Sequence, residues 1–458
     1  MLHAAMREVR PTLKLAFPLI IAFLGYQLIS LVDTFVAGHI GVNTLAAVSL
    51  GSALFWVMTI FPLGLLMGLD PILSQALGAH LPRLAWRACR RGAGLALILS
   101  LFFGPLLWLS AQEGWPWSPE GAVSEGLWYY TAGRVWCVPL LLLHVCLRCF
   151  LQAHEQGRVI LLGTLMSNVL NLVLSVYLGG GDALSVELGG PSLGWLPEGL
   201  GALGIGLASS LVLLIEIGLL AWFARQIGVQ SGEDPNPPPL LGAWKKLVIL
   251  GSPIGGAMLS EGGVFSASTL IVSAWSPVVI GAHQVTLQLA SATFTICLGI
   301  ASATSVRVGL AVGAEDFQRA RGAGIVGLVI SLVVMCVSAL SFIFYGHRFA
   351  GLLSLNHEVI KLSAELLVIA AAFQLFDGVQ VTTAAALRGA GFTRIQLISA
   401  IVSHWGVGLP LSLYFAFKLS MGVQGLWWGL CCGLICASLI LARSFFGRDD
   451  LSGGELRQ

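Results

Sequence analysis

The sequence predicts an all-α integral membrane protein with twelve transmembrane helices in two parallel-related six-helix lobes. Three observations predict this fold. Of the 458 residues, 57% are hydrophobic and only 10% are charged, whereas soluble globular chains carry about 25% charged residues. Apolar runs of roughly 20 residues, the length that crosses a bilayer as a helix, recur along the whole chain. In addition, the second half of the chain repeats the pattern of the first half.

The apolar runs predict helices and not the strands of a β-barrel. Barrel strands are about ten residues long and alternate in polarity, but the runs in this chain are longer and apolar on all sides. Helices satisfy every backbone amide internally, as lipid requires. The predicted spans lie near residues 13–37, 45–69, 88–110, 127–150, 159–179 and 200–224 in the first half, and near 246–274, 278–301, 322–345, 361–386, 395–417 and 422–445 in the second.

The internal repeat appears when the sequence is shifted by 235 positions. The shift places Pro18 on Pro253 and Gly78 on Gly313, within an ordered run of matches along both halves. Six spans per half is an even number, so both halves enter the membrane in the same orientation. Repeats of membrane helices are typical of secondary transporters, whose substrate path lies between the halves. The repeat therefore favours a transport function.

A polar, Pro-rich segment predicts the lobe boundaries, and the distribution of Lys and Arg predicts the orientation. We expect lobes at 1–229 and 242–458, joined at 230–241 by a polar, Pro-rich cytoplasmic linker that cannot be helical. Lys and Arg collect on the side of the predicted spans that holds both termini. The positive-inside rule then predicts a multi-pass protein of the cytoplasmic (inner) membrane with both termini in the cytoplasm. A formal net charge of only +2 does not indicate a nucleic-acid partner.

Several carboxylates lie inside predicted spans, where a charge costs a few kcal/mol or more. The three that stand out are Asp33 in span 1, Glu261 in span 7 and Asp377 in span 10. Ion or proton handling explains them, and the competing interpretation is a buried hydrogen bond to a neighbouring helix. Two buried carboxylates facing one cavity, as we expect of Glu261 and Asp377, repel one another and become protonated near neutral pH. A Na⁺ ion would neutralise them equally well, because it takes oxygen ligands.

Polar and aromatic residues near these acids complete the predicted ion and substrate site. Asn168 and Asn171 in span 5 are three residues apart and share a helix face. Gln284 adds an amide in span 8. Phe373, one turn before Asp377, offers a ring face to a cation, although a packing role is the competing interpretation.

Three further acids are weaker candidates. Glu216 in span 6 has no evident partner in the sequence, and Glu365 lies close to the start of span 10. Asp70 precedes Pro71 at the end of span 2, where it is expected to cap the exit of the chain.

Six segments spread over both halves carry a family resemblance: SLVDTFVAG at 30–38, LAAV at 45–48, AHQV at 282–285, VRVG at 306–309, FQLFDGVQ at 373–380 and ALRG at 386–389. These segments resemble the multidrug and toxic compound extrusion (MATE) transporters, and the likeness covers essentially the whole chain. The acid at Glu261 paired with Asp377 is similar to the NorM-like branch.

The resemblance implies a cation-coupled exporter of amphipathic, often cationic drugs, with two lobes that rock around a central cavity. By position, Glu261 and Asp377 match the coupling acids of the second lobe. Phe373 falls where related proteins often have Tyr, which keeps a ring near the ion but removes a hydroxyl.

The resemblance also assigns the first-lobe acid to Asp33 and its amide partners to Asn168 and Asn171. Ser175 departs from the family pattern, since the family usually carries Asp or Asn there. Serine supplies an oxygen but no charge, so the ion site of the first lobe is in question.

Three functions remain as alternatives. The leading one is antiport of organic cations against Na⁺ or H⁺, with no other cofactor and with a monomeric protein. The second is a lipid-linked saccharide or metabolite flippase of the same superfamily, which twelve spans and mostly acidic mid-membrane charges disfavour. The third is a membrane-embedded enzyme, but the sequence has no HExxH motif, and its loops are too short for a soluble active site.

Overall fold

The computed structural model describes residues 2–113, 115, 119–194, 196–230, 240–448 and 451, and the regular elements in these ranges are all helices. In the first half they are α1 (Leu2–Ile40), α2 (Val42–Leu66), α3 (Leu69–Gly78), α4 (Pro82–Ser110), α5 (Ala122–Arg134), α6 (Cys137–Ala153), α7 (Gly157–Leu174), α8 (Gly181–Glu187) and α9 (Ala202–Gln230). In the second half they are α10 (Leu240–Val272), α11 (Pro277–Gly313), α12 (Phe317–Leu353), α13 (His357–Ala390), α14 (Arg394–Ala400), α15 (Leu409–Leu413) and α16 (Gly422–Phe446).

The helices confirm the predicted all-helical membrane fold. Eleven helical segments of the described chain are long and apolar enough to cross a membrane, and a bent pair makes a twelfth. That pair is α5 and α6, which meet at 42° where one straight span, 127–150, was predicted. Pro139, the third residue of α6, explains the bend: it has no N–H, and its ring clashes with the carbonyl four residues earlier.

Two predicted spans contain π-helical segments. Span 5 runs from α7 into a π-helix at Ser175–Gly180, and span 11 contains π-helices at Ile401–Gly408 and Tyr414–Lys418. In a π-helix each backbone hydrogen bond spans five residues instead of four, so the helix is wider than an α-helix. Such segments are frequent at functional sites. Ser175, which departs from the family pattern, is the first residue of the π-helix in span 5.

Large apolar side chains remain exposed along the helices. Leu101, Leu270 and Phe344 are each more than 70% exposed. A soluble protein rarely leaves so much apolar surface uncovered, but a helix surrounded by lipid has no such constraint. These side chains therefore fit helices that are solvated by the bilayer.

The chain forms two compact units, each assembled from segments that are not consecutive in the sequence. The first unit comprises Met1–Ile21, Asp70–Leu81 and Ile249–Gln458, and the second comprises Ala22–Leu69 and Pro82–Val248. The predicted linker at 230–241 is too long at both ends, because Gln230 ends α9 and Leu240 begins α10; these ends carry no proline and can be helical. The rest of the linker, at 231–239, lies outside the described residues. The lobe boundaries at 229 and 242 therefore stay a prediction.

The repeat has a structural counterpart inside the first unit. Gly78 of α3 lies against the backbone carbonyl of Leu310, and Gly313 of α11 lies against that of Gln75. The two contacts exchange under the shift of 235 positions that aligns the halves. A side chain at either glycine would collide with the facing backbone, so both glycines are needed for this close approach.

Candidate functional site

Asp33 lies on α1 in the second unit, where four side chains donate hydrogen bonds to its carboxylate. Oδ2 accepts from Arg134 Nη1 at 2.9 Å and from Ser209 Oγ at 2.8 Å. Oδ1 accepts from Asn171 Nδ2 at 3.1 Å and from Ser175 Oγ at 3.2 Å. Asp33 itself is only 2% exposed. Its charge is therefore balanced by one cation and stabilised by three neutral donors.

Arg134, the partner of Asp33, is the last residue of α5, at the bend of the broken span. Its guanidinium lies 4.9 Å from the centre of the Phe55 ring and 5.8 Å from that of Tyr130. The Tyr130 hydroxyl is 2.8 Å from the hydroxyl of Ser52. Aromatic faces stabilise a desolvated guanidinium, so Arg134 is held in place by rings and by Asp33.

Asn168 does not join this group, although it shares α7 with Asn171. Its amide nitrogen donates to the Thr164 carbonyl of its own helix at 2.8 Å. Ser175, in contrast, does reach Asp33. Of the residues assigned to the first-lobe site, the structure thus brings together Asp33, Asn171 and Ser175 but leaves Asn168 apart.

Glu261 and Asp377 lie in the first unit, on α10 and α13, and their charges act on one another. Asp377 is 5% exposed and Glu261 is half-buried. The amide nitrogen of Gln380 approaches Glu261 Oε1 at 3.4 Å, and the Gln380 Oε1 atom is buried without a partner. Within the described residues, neither acid forms an ion pair, and Asp377 accepts no side-chain hydrogen bond.

Polar contacts hold α13 in place one turn before Asp377 and directly after it. Gln374 accepts a hydrogen bond from Ser338 at 2.7 Å and donates to Thr293 at 2.5 Å. Ser331 donates to the backbone carbonyl of Gly378 at 3.2 Å. These contacts tie α13 to α11 and α12, so Asp377 is placed by a scaffold that does not itself use the carboxylate.

Phe373 is buried in the packed interior, whereas Gln284 is exposed. The Phe373 ring is 4% exposed and packs edge-to-face on Phe265 and Trp427, at centroid distances of 6.1 and 5.8 Å. Gln284 has an exposed side chain on α11. The structure therefore gives Phe373 a packing role one turn from Asp377, and it gives Gln284 no hydrogen bond to either acid.

Sequence reasoning missed three ion pairs of the first unit, formed by Asp70 and Glu8. Asp70 lies in the first turn of α3, where it pairs with Arg388 at 3.3 Å and does not cap the exit of a span. Glu8 binds Arg307 at 2.7 Å and Arg319 at 2.6 Å. The sequence did hold a signal for these pairs. Arg388 and Arg307 lie next to predicted spans, in the motifs at 386–389 and 306–309, and an arginine buried there needs an acidic partner.

Sequence reasoning also treated Glu216 as isolated. On α9 it instead lies among side chains of α1, α6 and α7, including His144 at 3.3 Å and Ser167 at 2.9 Å. The sequence held no signal for this pairing, because 72 positions separate Glu216 from His144.

A model of one protein family, MatE, matches residues 18–177 and 253–414, which together make up most of the chain. The chain belongs to the MatE family. The two matched segments begin at Pro18 and Pro253, the residues that the internal repeat superimposes. One segment contains Asp33 with Arg134, Asn171 and Ser175, and the other contains Glu261 and Asp377. Ser209 and Glu216 lie outside both segments.

Known members and solved structures agree with this MatE assignment. A protein of Xanthomonas axonopodis pv. citri (strain 306) named "Probable multidrug resistance protein NorM" is 33% identical over 448 residues, covering 96% of this chain and 94% of its own. A protein of the same name from Deinococcus radiodurans is 34% identical over 449 residues and 96% of each chain. The eukaryotic MATE transporter AtDTX14 has the same fold, with a TM-score of 0.83, 18% identity and coverage of 98% and 97%.

Proposed function

We propose that this protein is a secondary active antiporter that exports amphipathic organic cations in exchange for Na⁺ or H⁺. The observation that carries the proposal is the Glu261–Asp377 pair, two intramembrane acids with no cationic partner in the described chain. Such acids mark ion and substrate pathways. The relatives' name, multidrug resistance protein NorM, supports drug-like organic compounds as the exported class.

The coupling ion is assigned to Glu261 and Asp377. The two carboxylates repel one another and are largely removed from water, so a cation that neutralises them is strongly favoured. A proton does so by binding a carboxylate oxygen. Na⁺ does so through oxygen ligands, for which the two acids and the unpartnered Gln380 oxygen are available. No other cofactor is needed.

Asp33 is a poor second ion site in comparison. Arg134 already neutralises it, and three further donors occupy its oxygens. A Na⁺ ion would have to displace these donors and would lie close to the guanidinium. We therefore assign Asp33, Asn171 and Ser175 a role in holding the helices together, with Asn168 contributing only within α7.

Export follows from competition for the Glu261–Asp377 pair. When the pair faces the outside, ion binding neutralises the acids and weakens their attraction for the organic cation. When it faces the cytoplasm, ion release restores the negative charge and with it the affinity for substrate. Thermodynamic linkage requires the reciprocal effect, so bound substrate weakens ion binding to the same extent.

The cellular setting is part of the same proposal. The membrane-spanning helices and the concentration of Lys and Arg on one side support a cytoplasmic-membrane location with both termini inside. The protein acts on its substrate without chemical conversion, so it is not an enzyme. We also propose that one copy of the chain is the working unit, with the lipid bilayer as its surroundings.

Transport of a fluorescent organic cation into inverted membrane vesicles tests the proposal. A Na⁺ gradient and a proton gradient are imposed separately on wild type, Glu261→Gln and Asp377→Asn. The expected result is uptake driven by one of the gradients and lost in both variants. Glu365→Gln is the matched control, because Glu365 is an exposed carboxylate of α13 that accepts a hydrogen bond from Gln424.

Two outcomes would contradict the proposal. If neither gradient moves the cation, the exported class is wrong and a lipid-linked saccharide or metabolite becomes the leading candidate. If the cation moves but both variants remain active, the coupling site is wrong.

A further inference from the structure

A second buried group of titratable side chains lies in the second unit. Glu216 of α9 and His144 of α6 are 1% and 3% exposed, and their Oε1 and Nε2 atoms are 3.3 Å apart. The hydroxyl of Tyr26 on α1 lies 3.0 Å from this nitrogen and 3.2 Å from this oxygen. Ser167 of α7 donates to the other carboxylate oxygen at 2.9 Å. Side chains of α1, α6 and α7 thus converge on the one carboxylate of α9.

The helices approach closely enough because residue 25 is a glycine. A Cβ atom at Gly25 of α1 would lie 2.6 Å from Thr164 Cγ2 of α7. Thr164 Oγ1 is in turn 3.5 Å from Glu216 Oε1. Tyr26 follows Gly25 directly, so the same close approach carries the phenol to Glu216.

The Tyr26 hydroxyl, His144 Nε2 and Glu216 Oε1 form a triangle of three contacts, and the contacts need hydrogen atoms between their polar atoms. Tyr26 has one hydroxyl hydrogen and can donate it along only one edge at a time. The edge between His144 and Glu216 needs another hydrogen, because a bare imidazole nitrogen facing a carboxylate oxygen brings lone pairs together. With a neutral imidazole supplying that hydrogen, the group still carries the full negative charge of Glu216.

One additional proton makes this buried group neutral. It either converts His144 to imidazolium beside the carboxylate or protonates Glu216 itself. In both cases the cost of burying a net charge is removed. The proton belongs to the pair and not to either residue alone.

Few other charges bear on the pair. Arg148, one turn after His144 on α6, acts on Tyr26, and its guanidinium lies 5.2 Å from the centre of the Phe23 ring. It forms no ion pair with Glu216 in the described chain. Toward Glu216, α7 presents only the hydroxyls of Thr164 and Ser167. The described neighbours therefore leave the charge of Glu216 to be balanced by a proton.

We propose that Glu216 and His144 form a proton-binding site in the N-terminal half, separate from Glu261 and Asp377, with Tyr26 as a positioning residue that contacts both. The site takes one proton per protein and exchanges it when conformational change opens it to water. Its ligand is a proton and not Na⁺, because the imidazole nitrogen occupies the space beside the carboxylate. The role of this proton in antiport rests on the proposed function, but its binding does not.

The test measures proton binding directly. Purified full-length protein in lipid nanodiscs, at constant Na⁺ concentration, is titrated between about pH 6 and pH 9, above the range in which exposed carboxylates titrate. Glu216→Gln, His144→Gln and the double variant are compared with wild type. Each is expected to bind about one proton fewer, and the double variant is expected to lose no more than either single variant, since the proton is shared.

Three controls keep the result specific. Glu365→Gln is expected to leave the count unchanged. Tyr26→Phe keeps the proton but shifts the pH at which it is released, because it removes only the hydroxyl. Repeating the titration in a Glu261→Gln background separates this site from the proposed coupling pair, since the shared proton should persist there even if export fails.

A count that is unchanged in Glu216→Gln, or losses that add in the double variant, would overturn the proposal. A loss seen only in His144→Gln would assign the proton to an ordinary histidine and overturn the shared site as well. If the titration behaves as expected, proton-driven export by Glu216→Gln then tells whether the site takes part in transport.

Discussion

The Asp33 group and the Glu261–Asp377 pair both contain buried carboxylates, but they differ in whether the surrounding side chains balance the negative charge. Both place carboxylates inside apolar helices. Asp33 is surrounded by four donors, one of them an arginine. Among the described residues, Glu261 and Asp377 have a single amide donor between them, and they repel one another. The difference teaches that an intramembrane acid becomes a candidate ion site only when its neighbours leave its charge unbalanced.

The largest effect is expected from the unbalanced pair. Glu261→Gln and Asp377→Asn remove one of the two repelling charges while keeping a similar shape. Ion-driven transport of an organic cation should fall to the level of vesicles without the protein, because the remaining acid has no repelling neighbour and therefore holds the ion less strongly. Transport that persists in either variant would mean that the remaining acid alone couples the ion.

A large effect on stability is expected at the balanced acid. Arg134→Gln leaves the Asp33 carboxylate buried without a counter-charge, which typically costs about 3–5 kcal/mol. Denaturant or thermal unfolding of the purified protein in detergent measures the loss. Because Asp33→Asn removes the stranded charge, the double variant should recover most of the stability. An Arg134→Gln protein as stable as wild type would show that the ion pair does not hold this region together.

A smaller effect on stability is expected at two asparagines of α7, Asn171 and Asn168, which can be compared as a matched pair. Asn171→Ala removes a hydrogen bond to the Asp33 carboxylate, worth about 1.5–3 kcal/mol, whereas Asn168→Ala removes a bond to a neutral carbonyl, worth about 0.5–1.5 kcal/mol. The same unfolding experiment should therefore rank Asn171→Ala as the more destabilising. The reverse order would place Asn168 at the more important contact.

The smallest effect is expected on transport when the balanced site is removed as a whole. The double variant Asp33→Asn with Arg134→Gln has no charge left at this position. The dependence of its transport on ion concentration should match wild type, provided that rates are compared per folded protein. A shifted ion dependence would return Asp33 to the coupling site and would contradict the contrast between the two regions.

Much of the fold could be predicted from local sequence. The length and polarity of an apolar run depend only on neighbouring residues, so the twelve predicted spans correspond to the eleven membrane-length helices and one bent pair. The repeat was equally visible, and the reciprocal contacts of Gly78 and Gly313 follow it. The bend between α5 and α6 was missed, although Pro139 was present in the predicted span as a possible cause.

The partners of the acids could not be predicted in this way. Nothing in the sequence indicates that Arg134 folds onto Asp33, 101 residues earlier. Glu216 seemed isolated until α1, α6 and α7 brought Tyr26, His144 and Ser167 to it. Such contacts form between helices, and the register of one helix against another is not encoded in any single span.

By itself, then, the sequence determined that the chain crosses the membrane, that it is duplicated and that it carries acids where lipid disfavours them. Only the tertiary structure decided which acids have a counter-charge among the described residues and which do not. The physical reason is that the cost of insertion depends on the residues of one helix, whereas the balance of a buried charge depends on side chains within a few ångströms, contributed by helices far apart in sequence.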